Sequence, residues 1–100
     1  MKKEYCVKPS ILAKADRKNI TQYLRQRSVQ APIKFNQELE KYINIISQTP
    51  NIFAVFNAKP IYRHVVVFGS YVMFYRVDET EKVVLIYRII HGAQDLENIL

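Results

Sequence analysis

The sequence has few of the residues that commonly build covalent or metal-bound sites. Its 100 residues include one cysteine, Cys6, together with two histidines and two glycines. A single cysteine cannot close a disulfide within the chain, and one cysteine with two histidines shows no spacing typical of a metal site. Two glycines are too few for a glycine-rich loop that cradles a phosphate. We therefore predict no metal and no cofactor, and we interpret Cys6 as a small buried hydrophobic residue of a strand.

Long apolar runs are also absent. No segment approaches the roughly twenty consecutive apolar residues that a membrane helix requires, although 49% of the residues are hydrophobic. The N-terminus carries charge and has no apolar signal core behind it, which argues against export. We therefore expect a single cytoplasmic domain over residues 1–100, with no membrane contact.

Acidic residues are outnumbered by basic ones. The chain has 15 Lys and Arg against 9 Asp and Glu, which gives a net charge of +6. Such a surplus favours a polyanionic partner, either nucleic acid or an acidic protein segment, although a small basic domain can also simply be soluble. Composition leaves these alternatives open.

The first half of the chain predicts a strand followed by two helices. Residues 5–9 are apolar-rich and end at a proline, and Ser10 is placed to cap a helix. In residues 11–28 apolar positions recur at helical spacing, at Leu12, Ala15, Ile20, Tyr23 and Leu24. A second stripe, in residues 31–48, comprises Phe35, Leu39, Tyr42, Ile43 and Ile46. The short connection predicts an antiparallel helical hairpin whose apolar stripes need a sheet to cover them.

The second half of the chain predicts that sheet. A packed loop over residues 49–59 leads to three strands, at 61–68, 71–77 and 83–90, joined by tight turns at Gly69-Ser70 and at the polar residues 78–81. A short terminal helix follows near Asp95. The predicted class is α+β, with an N-terminal strand, a helical hairpin packed on an antiparallel sheet, and a short C-terminal helix.

Strand alternation sorts the side chains of this sheet into two faces if both turns are tight. The face predicted to pack on the helices carries Val65, Val67, Val72, Phe74, Leu85 and Tyr87. The opposite face carries Tyr62, His64, Tyr71, Met73, Tyr75, Ile86 and Arg88. This mixture of aromatic, cationic and apolar groups is enriched at protein interfaces and nucleic-acid surfaces, so we predict that the second face binds a partner.

Three arginines and a histidine are further candidates for function. Arg63 and Arg76 are expected opposite each other at the sheet rim, where an acidic partner would relieve their repulsion unless they are simply solvated. Arg88 needs a carboxylate or a partner, and Asp95 is its nearest internal mate. His91 contacts a partner, transfers protons, or orders a turn through backbone hydrogen bonds, and we favour the turn. The predicted partner-binding residues are Arg63, His64, Tyr71, Tyr75, Arg76, Arg88 and His91.

Several short motifs occur together in one known family. They are Ala15-Asp16 with Ile20 and Tyr23, Arg63, the Gly69-Ser70-Tyr71 turn, Phe74-Tyr75-Arg76-Val77, and Arg88-Ile89-Ile90-His91-Gly92 with Asp95-Leu96. With the order of the elements, they resemble the RelE/ParE toxin superfamily, and most of all its ParE branch of plasmid stabilisation proteins. Gln94 stands where the common C-terminal pattern has an arginine.

This resemblance implies a toxin of a type II toxin–antitoxin system. ParE-like members are understood to poison DNA gyrase as protein ligands, whereas RelE-like members cut messenger RNA in the ribosomal A site. We favour the non-enzymatic, gyrase-directed activity, because Val72, predicted on the core face, stands where the nuclease branch has a catalytic arginine. The alternatives are a non-toxic relic of the family and a ribosome-dependent endoribonuclease that uses His91, Tyr75, Arg63, Arg76 and Arg88.

The resemblance also implies a cognate acidic ParD-like antitoxin that holds the toxin inactive. Independently of the family, a basic domain with an exposed aromatic face is suited to an acidic amphipathic segment that folds as it binds. We expect such a segment to lie along the helical hairpin and to add a strand at an open sheet edge.

Overall fold

The computed structural model describes residues 4–100 and confirms the predicted α+β class. Its elements are β1 (Cys6–Pro9), α1 (Ile11–Arg27), α2 (Gln30–Gln48), β2 (Arg63–Val67), β3 (Tyr71–Asp78), β4 (Val83–His91) and α3 (Leu96–Ile99). Within this described part of the chain, none of the helices has the length and apolar character needed to cross a bilayer.

α1 begins where Ser10 caps it. The Ser10 hydroxyl oxygen accepts a hydrogen bond from the backbone N–H of Ala13 at 3.0 Å, which satisfies one of the free donors of the first turn. The buried residues of this helix are Ala13, Ile20 and Leu24. The predicted stripe is therefore wrong at Leu12, Ala15 and Tyr23, which are exposed.

α2 lies antiparallel to α1 after a connection of only two residues, Ser28 and Val29. Its predicted stripe is confirmed, because Phe35, Leu39 and Ile46 are buried while Tyr42 and Ile43 are partly buried in the same core. The hairpin thus presents one continuous apolar surface to the sheet, as amphipathic helices do.

The sheet has four strands in the order β1-β4-β3-β2. The three C-terminal strands are antiparallel, as predicted, and β1 joins at one edge as a parallel neighbour of β4. Because β1 is an edge strand, only Val7 of its four residues is drawn into the core. Cys6 is exposed, so the interpretation of this cysteine as a buried residue is wrong.

The turn between β2 and β3 is one residue longer than predicted, and this reverses the faces of β3. Val67 pairs with Tyr71, so the turn comprises Phe68, Gly69 and Ser70. Phe68 and Gly69 have φ angles of 56° and 70°. The Phe68 N–H donates to the carboxylate of Glu38 in α2, which stabilises this conformation. A shift of one residue sends every side chain of a strand to the other face.

As a result, the side chains on each face of the sheet differ from those predicted. The core beneath the helices takes Tyr71, Met73 and Tyr75, together with Val65, Val67, Val84, Ile86 and Ile89. The other face takes Val72 and Phe74 with Tyr62 and Ile90, and it is covered by Phe56, Tyr87 and the α3 region. A β-bulge between Phe74 and Tyr75 shifts the pairing with β4 as well. The prediction that Tyr71, Met73 and Tyr75 form an exposed face is therefore wrong.

The long connection from α2 to β2 is packed on the body only in part. Phe53 lies against Tyr42 with ring centroids 5.7 Å apart, and Phe56 lies against Phe74 at 5.0 Å. Ile52 and Val55 remain exposed. The predicted packed loop is thus confirmed for its aromatic residues only.

Candidate functional site

Two of the predicted site residues meet at the end of the sheet. Tyr71 and His91 are paired across β3 and β4, and their rings are 5.3 Å apart in an edge-to-face arrangement. Tyr71 is buried and packs its other side against Phe35 at 5.4 Å. Burial, and to a lesser extent the neighbouring Tyr23, raises the pKa of Tyr71 against the opposing effect of Arg27. The uncharged phenol of Tyr71 therefore packs behind the exposed imidazole of His91.

His91 orders the turn that follows β4, which confirms the role favoured from the sequence. Its Nδ1 accepts a hydrogen bond from the Ala93 N–H at 3.1 Å. The next residue, Gly92, donates its N–H to the Ser70 carbonyl at 2.8 Å, and a Cβ there would lie 3.3 Å from the same oxygen. Because Nδ1 is an acceptor, the neutral ring carries its proton on Nε2, where it is a donor toward solvent or a partner.

The exposed side of His91 borders a groove, which we call the Tyr23–His91 groove. It consists of two adjoining crevices of about 390 and 320 Å³ that share Tyr23, Tyr71 and His91. Its remaining walls come from the end of α1, the β2–β3 turn and the segment after β4, namely Asn19, Ile20, Leu24, Arg27, Phe68, Ser70 and Gln94. The groove thus combines aromatic, cationic and amide groups in one concave surface.

Tyr23 and Arg27 were not among the predicted site residues. Tyr23 is 51% exposed, and Arg27 donates to its hydroxyl at 3.0 Å while its guanidinium carbon lies 5.6 Å from the ring centroid. The periodicity of α1 assigned Tyr23 to the core stripe. The available signal was the spacing of Tyr23 and Arg27, four residues apart, which places an aromatic ring and a cation on one helical face.

Arg88 lies near this end of the sheet but is paired internally. Its Nε and Nη2 donate to the two carboxylate oxygens of Asp16 at 2.8 and 3.0 Å, and the Ile89 N–H donates to the same carboxylate at 3.0 Å. The hydrogen bonds that Arg88 donates to Asp16 raise the pKa of Arg88 further above its ordinary value. The prediction that Asp95 pairs with Arg88 is therefore wrong, because α1 and not the C-terminal segment supplies the carboxylate.

Arg63 and Tyr75 hold the loop after α2. Arg63 pairs with Tyr75 and not with Arg76, so the predicted opposition of two arginines is wrong. Its Nη1 donates to the carbonyl of Phe53 at 2.7 Å, and the Tyr75 hydroxyl donates to the carbonyl of Pro50 at 2.7 Å. Tyr75 is fully buried, and this burial raises its pKa to about 12 despite the nearby Arg63.

His64 and Arg76 lie away from the groove. The Nδ1 of His64 is 3.1 Å from the carbonyl oxygen of Ala54, and its ring stacks near Phe74 on the sheet face opposite the helices. Arg76 is exposed beside a small crevice that also involves Asp78. The seven predicted residues are thus spread over several regions and do not form one surface.

This distribution limits the chemistry of the site. Cleavage of RNA needs a base, an acid and cations around one phosphate, but Tyr75 is buried and protonated, and Arg63 and Arg88 are engaged within the protein. Val72 is buried on the sheet face away from the helices, not on the predicted core face. Residues 4–100 also contain no group of three or more His, Cys, Asp or Glu side chains placed to hold a metal ion. The candidate catalytic residues therefore do not surround one common site.

Comparison with known proteins connects this arrangement to one family. Residues 7–96 match a family profile described as "ParE toxin of type II toxin-antitoxin system, parDE". A solved structure of the chromosomal ParDE TA system from P. aeruginosa is similar with a TM-score of 0.68 and 21% identity, over 87% of this chain and 95% of that chain. The toxin–antitoxin complex RelBE2 from Mycobacterium tuberculosis is similar with a TM-score of 0.59 and 19% identity, over 88% and 98%. The search of curated proteins gives no significant match.

Proposed function

Since this chain belongs to the ParE toxin family of type II toxin–antitoxin systems, we propose that it inhibits DNA gyrase as a protein ligand and that a cognate antitoxin neutralises it. The antitoxin is an acidic protein that binds before the toxin reaches its target. No chemical step by the toxin itself is needed for this activity.

We favour a non-enzymatic mechanism because the candidate catalytic groups lie far apart in the structure. Of the five residues that a nuclease would use, Tyr75 is buried, and Arg63 and Arg88 bind groups within the protein. His91 and Arg76 remain exposed but lie in different regions of the sheet. A proton-transfer site requires its groups within hydrogen-bonding reach of one substrate, and these groups lack a common centre.

The Tyr23–His91 groove is the surface we assign to the target. An exposed aromatic ring, a guanidinium and an imidazole donor are side chains that contribute strongly to protein interfaces. Tyr23 and Arg27 already contact each other, so part of the ordering that binding requires is present in the free protein. Gln94, in the position where the family pattern has an arginine, lines the same groove.

An antitoxin partner agrees with the charge of the chain. The net charge of +6 favours association with an acidic protein, and both similar structures are described as toxin–antitoxin systems or complexes. A partner that binds only the folded toxin also stabilises it by mass action.

The test is inducible expression in a bacterium, with gyrase supercoiling and messenger RNA cleavage on ribosomes as parallel measurements. We expect growth arrest and inhibited supercoiling with intact RNA. Codon-dependent RNA cleavage with normal supercoiling would instead establish the endoribonuclease, and unimpaired growth with both readouts silent would indicate a non-toxic relic.

Matched arginine variants locate the target surface. We expect Arg27→Ala to weaken gyrase inhibition by about tenfold or more, because it removes a cation and an aromatic contact from the groove. Arg76→Ala removes the same side chain from an exposed position elsewhere on the sheet and is expected to inhibit like the parent. The reverse pattern would move the target contact to the Arg76 side of the sheet.

A further inference from the structure

The positive charge of the chain is concentrated in one segment of the sequence. Residues 5–37 contain seven Lys or Arg residues and a single acidic residue, Asp16. Residues 38–100 contain six basic and seven acidic residues, so their charges nearly cancel. The basic surplus therefore belongs to the part of the chain that forms β1, α1 and the beginning of α2.

The one carboxylate of this segment does not balance the exposed cations of α1. Asp16 accepts two hydrogen bonds from the Arg88 side chain, so its charge is paired toward the sheet. None of the ion pairs within residues 4–100 includes Lys14, Lys18 or Arg25, and all three residues are exposed. Their positive charges are therefore not neutralised by any carboxylate in the described part of the chain.

These three cations and one amide share a face of the helix, which we call the α1 basic face (Lys14, Lys18, Gln22 and Arg25). At about 100° per residue, the four positions fall within an arc of about 80°. At about 1.5 Å per residue, they extend for about 16 Å along the helix axis. The face is thus a straight row of exposed hydrogen-bond donors with a charge of +3.

The chemistry of the α1 basic face favours phosphates over a protein partner. Lysine, arginine and glutamine side chains are the donors that contact phosphate oxygens in nucleic-acid complexes. A protein interface needs instead an apolar or aromatic centre, and the exposed large apolar residues of α1, namely Ile11, Leu12 and Tyr23, lie before this face or on another side of the helix. Duplex DNA carries one negative charge per about 1.7 Å of its axis, so about 16 Å of duplex holds roughly nine phosphates.

We propose that the α1 basic face binds the phosphate backbone of duplex DNA without reading its sequence, and that Lys14, Lys18 and Arg25 each neutralise one phosphate. The inference does not depend on the proposed function, because it concerns DNA itself and a different side of α1 from the Tyr23–His91 groove. Gyrase acts on duplex DNA, so a toxin held on the backbone is concentrated where the proposed target works.

The salt dependence of binding measures how many phosphates the protein neutralises. The probe is a fluorescein-labelled duplex of about 20 base pairs, titrated with the purified toxin and followed by fluorescence anisotropy. For three phosphate contacts, the logarithm of the binding constant should fall with the logarithm of the salt concentration at a slope of about −2.7. Raising the salt from about 50 to about 200 mM should therefore weaken binding about fortyfold. A duplex of unrelated sequence should bind equally well.

Two double variants with the same net charge separate the α1 basic face from the overall charge of the protein. Lys18→Gln combined with Arg25→Gln should bring the slope close to −1 and weaken binding at low salt by about tenfold or more. Lys59→Gln combined with Arg76→Gln removes two cations outside α1 and should bind DNA nearly like the parent. Lys18→Arg keeps the charge and should do the same. Because glutamine is a good helix former and both α1 positions are exposed, the melting temperature should change little.

Equal losses of affinity in the two double variants would show that binding follows net charge and would overturn the inference. A folded parent that does not bind the duplex at about 50 mM salt would overturn it as well. Polyglutamate at the same concentration of charge should displace the labelled duplex at least about tenfold less effectively than unlabelled duplex does. Equal displacement would assign the face to an acidic protein instead. A toxin that binds DNA through α1 but leaves gyrase active would contradict the proposed function and support this inference.

Discussion

Asp16 of α1 accepts a bidentate hydrogen bond from Arg88 of β4, and also accepts from the Ile89 N–H. The pairing of β4 with β1 ends at Ile86. Beyond that residue, the Asp16 carboxylate accepts a backbone hydrogen bond from β4 in place of the neighbouring strand. Arg88 was a candidate for partner binding, but this contact makes it part of the junction between the helical hairpin and the sheet.

We expect Arg88→Ala and Asp16→Ala each to lower the free energy of unfolding by about 2 to 3 kcal/mol, because either change leaves a partly buried charge without its partner. The double variant should lose much less than the sum of the two single losses. Urea unfolding of the four proteins measures this coupling. Lys18→Ala, at an exposed position of α1, is the control and should change stability by less than about 0.5 kcal/mol.

Additive losses in this cycle would show that the two side chains do not act together. A fully stable Arg88→Ala protein that lacks toxicity would instead show that Arg88 contacts the target.

Tyr75→Phe separates a structural hydroxyl from a catalytic one. The hydroxyl donates to the Pro50 carbonyl within the core, so its removal should cost about 1 to 2 kcal/mol in the free energy of unfolding. Growth arrest and gyrase inhibition are expected to persist, because the hydroxyl is buried away from any partner. Loss of toxicity without loss of stability would identify a chemical role for Tyr75.

The same residue predicts a loss of stability at high pH. The folded protein raises the pKa of Tyr75 from 10.0 to about 12, so the native state holds this proton to higher pH than the unfolded chain does. The resulting contribution to stability is fully present below about pH 10 and is lost as the pH rises toward about 12. Burial raises the pKa of Tyr62 and Tyr71 as well, which acts in the same direction.

Urea unfolding of the parent and of Tyr75→Phe across this pH range tests the prediction. The parent should lose more stability than the variant between about pH 10 and 12. Parallel curves would mean that another group is responsible for the alkaline loss.

Ser10 joins the start of α1 to β4 in two ways. Its oxygen accepts from the Ala13 N–H, and its hydroxyl donates to the Tyr87 carbonyl at 2.6 Å. Ser10→Ala should therefore lower the free energy of unfolding by about 1 to 2 kcal/mol. Ser10→Asp keeps the cap but not the donor when it is ionised, so it should recover only part of this loss, as thermal unfolding will show. Full recovery by Ser10→Asp would mean that the contact with Tyr87 contributes nothing.

The elements that were predicted well from the sequence are those specified by residues close to one another along the chain. Ser10 was recognised as a cap because its role depends on the first turn of one helix, and α2 was placed by its apolar stripe within one segment. The groove was predicted less well. Tyr71 and His91 were named as site residues, but Tyr23 and Arg27 join them only because the end of α1 lies over the end of the sheet.

Composition, local periodicity and short motifs were enough to predict the order of the elements, the α+β class, the basic charge and the family resemblance. The tertiary structure was needed to decide which face of β3 meets the helices, since Phe68, the additional residue of the β2–β3 turn, is held by Glu38, which lies 30 positions away. It also decided the mate of Arg88, because Asp16 is 72 positions distant. Such contacts depend on how the helices lie over the sheet, which the pattern within any one segment does not specify.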